Sequence, residues 1–248
     1  MDNIDPDMID PPDVQDVQDT SDVSSDNHNF RLRTILRLFP YLNDKLKAKE
    51  LKIDKESIHY ISLREHAENI SLIITTHLKK LNIDPKNVVI TDATAGVGGN
   101  TLSFAKYFLK VNAIEIDPTR VSYLKNNIGV YNMTNVDVYH EDCLKILSTL
   151  DQHVVFIDPP WGGKSYKDYI SLQLYLSGVP IEEICMCLLD PNTMKSIPDL
   201  IIIKLPINYD INHFYKILKD KIIYFHDLKK MYILVVVNKA YDGTSRLE

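Results

Sequence analysis

The sequence predicts an α/β protein: a mostly parallel sheet with helices on both faces, an antiparallel hairpin at one edge, and a short N-terminal helical extension. Three observations carry this. From residue 88 onward, short apolar runs alternate with runs at helical spacing, the rhythm of repeated βα units. The rhythm breaks at 221–227 and 231–238, two β-type runs joined by Leu228-Lys229-Lys230, which read as a hairpin. The chain's 248 residues, 45% apolar and 25% charged, suit one large domain or one domain plus an appendage.

Residues 1–29 hold nine aspartates, no Lys or Arg, and almost nothing to bury. They are expected to form a disordered, solvated acidic tail, and they lack the basic and apolar regions of a signal peptide. The remainder carries 28 basic against 25 acidic side chains, so the folded part is mildly basic although the whole chain is at −6. A helical extension over 30–84 comes next. Its apolar positions Leu32, Ile35, Leu36, Leu38, Phe39, Leu42 and Leu46 have helical spacing, and Pro40 divides them into two short helices. Ser62-x-x-Glu65 then has the form of a capping box, opening a helix that ends near Lys80. Over 85–248 the strands are expected at 88–92, 112–116, 136–139 and 154–157, with helices at 100–109, 120–130 and 144–150.

Several classes are excluded at this level. The longest apolar runs, 200–203 and 232–237, fall far short of the roughly 18 residues of a membrane-spanning helix. Cys143, Cys185 and Cys187 are too few for a disulfide framework, and Cys185-x-Cys187 has no partner pair for zinc. The expectation is an intracellular protein, of cytoplasm or nucleus, without a structural metal.

Four segments carry chemistry. Asp92-Ala-Thr-Ala95-Gly96-Val-Gly98-Gly99-Asn100-Thr101 follows a strand and precedes a helix, where glycines let the backbone turn sharply and approach a ligand. It matches neither the phosphate-loop pattern nor the dinucleotide fingerprint, and a tight βα turn is the plainer alternative. Asn112-Ala-Ile-Glu115-Ile-Asp117 ends a second strand in carboxylates. Asp117, 25 residues after Asp92 and followed by Pro118, is preferred to Glu115 for the two hydroxyls of a ribose, with a helix N-cap as the alternative. Asp142, after the third strand, offers a carboxylate to an adenine amine or, equally, another N-cap. Lastly, the fourth strand runs into Asp158-Pro159-Pro160-Trp161-Gly162-Gly163. Two prolines hold that segment rigid and extended, the Asp158 carboxylate and Pro159 carbonyl can accept the two hydrogens of an amine, and Trp161, the only tryptophan, offers a flat face to a base.

Together these segments resemble the class I S-adenosylmethionine-dependent methyltransferases that act on exocyclic amines. More narrowly, Ala95-Gly-Val-Gly-Gly-Asn-Thr101, Ile114 to Pro118, Asn126-Asn127, Val130-Tyr131 and Pro159-Pro-Trp-Gly-Gly163 with Tyr166 resemble the trimethylguanosine synthase family, which methylates N2 of the 7-methylguanosine cap of RNA. The similarity runs from near Leu51 and Ser62 to the final hairpin. It implies a Rossmann-like methyltransferase domain over 85–248, S-adenosylmethionine (AdoMet) as cofactor, capped RNA as partner, and neither metal nor membrane.

On the same basis, the cofactor residues are Ser62, Asp92, Ala95, Gly96, Gly98, Asn100, Thr101, Asp117, Asp142 and Asp158. Asp158, Pro159 and Trp161 form the catalytic set. Trp161 would stack on the cationic 7-methylguanine, gaining a cation–π contribution of about 0.5–2 kcal/mol. Tyr166 and Lys52, the latter matching a family lysine, are candidates for substrate and phosphate; Lys164, Lys204 and Arg64 join them by their place near the expected pocket rim, with a solvated surface as the alternative for each cation. Two departures stand out. Asp158 replaces the family's frequent Ser, which leaves one transfer (m7G to m2,7G) or two (to m2,2,7G) open. Ile207 follows Leu205-Pro206 where a basic residue is common, making Lys204 a substitute at the phosphates. Two rival readings remain: an adenine-N6 methyltransferase that flips its base onto Trp161, and a non-catalytic cap-binding scaffold.

Overall fold

The computed structural model describes residues 25–238, the side chains of 25–31, Lys45 and Lys164 excepted. Most of the acidic tail therefore lies outside the described residues. Helix α1 spans Ser25–Leu38, so it begins five residues inside the segment expected to be unstructured. A helix adds one hydrogen bond per residue once its amphipathic part has nucleated it, and it can run back into sequence that would not start one. Pro40 ends it as expected; the short α2 (Lys45–Ala48) and α3 (Ser57–Tyr60) follow, then α4 (Arg64–Lys80). The capping-box expectation fails: Leu63 occupies the cap, no side chain caps the helix, and the Ser62 hydroxyl is buried without a hydrogen-bond partner.

Seven strands form one sheet in the order β3-β2-β1-β4-β7-β9-β8: β1 (Val89–Asp92), β2 (Lys110–Glu115), β3 (Val136–His140), β4 (Val154–Ile157), β7 (Leu200–Pro206), β8 (Ile222–Asp227) and β9 (Met231–Val237). The first five are parallel, and β9 is antiparallel to both β7 and β8, which makes the expected hairpin. Every residue of β4 and β7 is buried, as strands covered on both faces require. A small hairpin that the sequence pattern did not reveal, β5 (Tyr175–Leu176) with β6 (Val179–Pro180), leads into α8 (Ile181–Leu188).

One face of the sheet is covered by α4, through Ile70, Ile74 and Leu78, and by α5 (Gly99–Tyr107), through Phe104; α8 and α9 (Ile211–Ile217) pack on the other. The order in which strands are added reverses at β1: β2 and β3 lie on one side of it, β4 and β7 on the other. The carboxyl ends of β1 and β4 therefore flank the crevice in which such sheets bind ligands. Among the described residues no helix is long and apolar enough to cross a membrane, and no group of three or more His, Cys, Asp or Glu is placed to hold a metal.

Candidate active site

The turn after β1 is held from several sides. The Ala95 amide donates to the Ile114 carbonyl at 2.9 Å, and the Gly96 amide donates to Glu115 Oε2 at 2.8 Å. Gly98 takes φ +103°, and a Cβ there would lie 2.9 Å from Leu124 Cδ1, so glycine is required by both conformation and space. Inside the turn, Asp92 is 1% exposed, accepting from Thr101 Oγ1 at 2.6 Å and from the Thr94 amide. Burial, reinforced by the charges of Asp158 and Glu115, raises its carboxyl to about 7. Two buried acceptors nearby have no partner: Ser62 Oγ and Asn100 Oδ1. Ser62 adjoins the turn, since its carbonyl oxygen is 3.6 Å from the Cβ position of Gly99. Orphaned buried polar atoms beside a glycine turn suit a ligand with its own donors. The methionine end of AdoMet has such donors, so these residues fit that cofactor.

Asp117 caps α6 (Pro118–Val130), its Oδ1 accepting from the Thr119 and Arg120 amides. Asp142 caps α7 (Cys143–Ile146) through the Leu144 amide. The capping alternative is thus realised at both, and in each the bonds are made by Oδ1 alone. Glu115, passed over in the sequence reading, holds two amides with its two oxygens, Gly96 by Oε2 and Asp117 by Oε1. Its place as the last residue of β2 was the signal for that role.

Besides the approach of Ser62, a buried side chain ties the helical extension to this turn. Asn127, fully buried on α6, accepts from the Lys52 amide at 2.8 Å and donates to the carbonyls of Lys52 at 2.9 Å and Val97 at 2.8 Å. Tyr131 adds a hydrogen bond to the Pro40 carbonyl, and Arg120 an ion pair to Glu56 at 2.7 Å. The Lys52 side chain is exposed, as is Arg64.

Beyond β4, the Asp158 amide donates to Thr94 Oγ1 at 2.9 Å, which joins the Pro-Pro-Trp segment directly to the cofactor turn. Pro159 is buried and Pro160 exposed. Trp161 is half-buried and packs edge-on to Tyr166, with ring centroids 5.3 Å apart; its Nε1 is buried with no partner. Gly162 is left-handed, at φ +93°, with open space where a Cβ would be, so the backbone turn rather than crowding calls for glycine. A cleft of about 480 Å³ opens on this segment, lined by Trp161, Tyr169, Gln173, Tyr175 and Asp210 among others.

Lys204 is not at the rim, where a phosphate contact would need it. It is 4% exposed on β7, its Nζ 2.7 Å from Asp158 Oδ2 and 5.3 Å from the Trp161 ring centroid. A parallel strand buried on both faces turns this side chain into the crevice rather than to solvent, and that corrects the phosphate expectation. Burial raises the Asp158 carboxyl and the Lys204 ammonium opposes the rise. The Lys164 side chain lies outside what the structure describes. Asp92 with Thr101, Ser62 beside Gly99, and Asp158 through Thr94 thus meet at the turn after β1, whereas Lys52 and Arg64 present their side chains to solvent.

Residues 87–243 match a family model described as RNA cap guanine-N2 methyltransferase. An uncharacterised protein of Acanthamoeba polyphaga mimivirus is 39% identical over 225 residues, which cover 83% of this chain and 86% of that protein. A trimethylguanosine synthase of Schizosaccharomyces pombe is 40% identical over 85 residues, 32% of this chain and 35% of that protein. Among solved structures, a T. thermophilus 16S rRNA N2 methyltransferase in complex with AdoMet and guanosine superposes with TM-score 0.52 at 14% identity, covering 76% of this chain and 44% of that one. That likeness concerns the fold alone.

Proposed function

Since the chain belongs to the RNA cap guanine-N2 methyltransferase family and is an AdoMet-dependent methyltransferase, we propose that it methylates the exocyclic N2 of the 7-methylguanosine cap of RNA, converting m7G to m2,7G. The observation that carries this reading is the Thr94–Asp158 hydrogen bond, which fixes the Asp158-Pro-Pro-Trp161 segment against the glycine turn. Amine acceptors, a stacking face and a cofactor turn thereby share one crevice.

AdoMet supplies an electrophilic methyl on a sulfonium. The protein's part is to orient and polarise the amine. The lone pair of guanine N2 is delocalised into the ring, so acceptors that draw on its N–H bonds are needed as positive charge develops there. Asp158 Oδ1, which makes no hydrogen bond among the described residues, and the Pro159 carbonyl are assigned that task. Trp161 takes the flat, cationic base, and this favours prior N7 methylation. Ser62, Asp92, Asn100 and Thr101, with Asp117 and Asp142 toward ribose and adenine, are assigned to the cofactor. Tyr166, at the edge of Trp161, is assigned to the base or its first phosphate.

The test is transfer from labelled AdoMet to m7GpppA, GpppA and an adenine-containing DNA duplex, with the product nucleoside identified by mass. Label at N2 of m7GpppA alone, as a single methyl, is expected. Dimethyl product would overturn the single transfer, label on adenine would replace the substrate, and cap binding without transfer would leave a scaffold.

A further inference from the structure

Three carboxylates come from three strand ends, Asp92 as the last residue of β1, Glu115 as the last of β2 and Asp158 just after β4, and one buried ammonium, Lys204, from β7. Lys204 touches two parts of the proposed substrate site at once. Its Nζ binds Asp158 Oδ2 at 2.7 Å and stands 5.3 Å from the centre of the Trp161 ring, within cation–π range. We propose that Lys204 is a positioning residue, holding Asp158 ionised and Trp161 in register so that a single carboxylate oxygen, Oδ1, is left to receive the guanine N2 amine. This rests on the function proposed above.

The alternative for a buried lysine here, contact with the triphosphate bridge, conflicts with its 4% exposure and its existing partner. Burial pushes the Asp158 carboxyl toward its protonated form, and the charge and hydrogen bond of Lys204 are what oppose it. A protonated Asp158 would present an O–H where the amine needs an acceptor. On the acidic side, Asp158 and Glu115 both act on Asp92; on the other, His66 of α4 feels Lys204, Glu65 and Lys230 of the β8–β9 turn, and burial with the Lys204 charge lowers it. Among the described residues, Lys204 is the cation in contact with Asp158.

The test compares wild type with Lys204→Met, Lys204→Arg, Asp158→Asn and the Lys204→Met/Asp158→Asn double variant. Initial rates on m7GpppA and on m7G nucleoside are measured from pH 5.5 to 9, and melting temperatures without substrate. Lys204→Met is expected to move the acid limb of kcat upward by about 1–3 pH units. Lys204→Arg should keep the limb in place. In the melts, each single neutral variant should lose more than the double, because each strands one buried charge. An unmoved acid limb, with KM rising for m7GpppA but not for m7G nucleoside, would make Lys204 a phosphate contact and overturn the proposal. Strictly additive melting losses would overturn it equally. Absence of transfer by the wild type would defeat the proposed function instead, and the melting cycle would still decide whether the pair acts as a unit.

Discussion

Asp92 makes folding and cofactor capture depend on pH in opposite senses. Its folded carboxyl titrates at about 7 against an ordinary 3.8, so between these values the folded state holds a proton that the unfolded chain has lost. Stability must then fall as pH rises through this window, and the ionised form is the destabilising one. The difference of about 3 pH units corresponds to about 4 kcal/mol in full, of which about 3 kcal/mol falls between pH 5 and 8. Asp92→Asn removes the titration while keeping an acceptor for Thr101 Oγ1. Urea unfolding of both proteins, without AdoMet, should show the variant gaining about 3 kcal/mol on wild type from pH 5 to 8. The comparison must be differential because His77 runs the other way. Burial, with the charges of His226 and Lys80, depresses His77 to about 4, so it adds stability as pH rises toward 6.5 and flattens the wild-type profile. The cationic cofactor should reverse the Asp92 effect by favouring its carboxylate, so AdoMet binding followed by calorimetry should release a proton near pH 7 in wild type and not in the variant. A variant-minus-wild-type stability difference that stays flat with pH would refute the assignment of Asp92 as a buried neutral acid.

Three further outcomes follow from geometry. Gly98→Ala combines a left-handed φ with a 2.9 Å approach to Leu124 and should cost about 2–4 kcal/mol by chemical denaturation, whereas Gly162→Ala, strained but unobstructed, should cost about 1–2 kcal/mol; equal losses would contradict the packing. Trp161→Ala should lower the preference for m7GpppA over GpppA by a factor of about 2–30 in competitive transfer, and an unchanged preference would remove Trp161 from base recognition. Asn127→Ala leaves the Lys52 amide and two carbonyls without their partner; a loss of about 2–4 kcal/mol in urea is expected, together with weaker AdoMet binding through the loosened Val97 turn.

How much of this was legible in the sequence depended on how local the signal was. The βα rhythm, the Pro40 break and the terminal hairpin are written in adjacent residues, and the sheet follows them. The β5–β6 hairpin had a signal in Ser177-Gly178, both at positive φ, but its strands are two residues each and show no alternation to accompany the turn. Glu115 and Asp117 both lie near the end of the second strand, and composition cannot say where the strand stops; it stops at the buried Glu115 and leaves Asp117 beyond it as the helix cap. Ser62 resembled a capping residue because residue type and spacing were right, yet its buried hydroxyl makes no hydrogen bond to the helix amides. Lys204 is the hardest case. Its partner lies 46 residues away, just past the end of a neighbouring parallel strand, and a lone lysine in an isoleucine-rich run carries no mark of that.

The 75-residue separation between Lys52 and Asn127 has a meaning for synthesis as well as for stability. Residues 35–51 are made before α6, and the cover of Ile35, Leu38, Phe39 and Leu51 includes Leu124 and Ile128 of that helix. At about 5–20 residues per second, the interval before Asn127 is even made is about 4–15 s. Throughout it the nascent chain displays an apolar face and an unpaired Lys52 peptide unit that the finished protein never shows. Ribosome-held chains ending before and after α6 should therefore differ sharply in protease sensitivity at residues 35–52, and this early window is where a chaperone would find its grip.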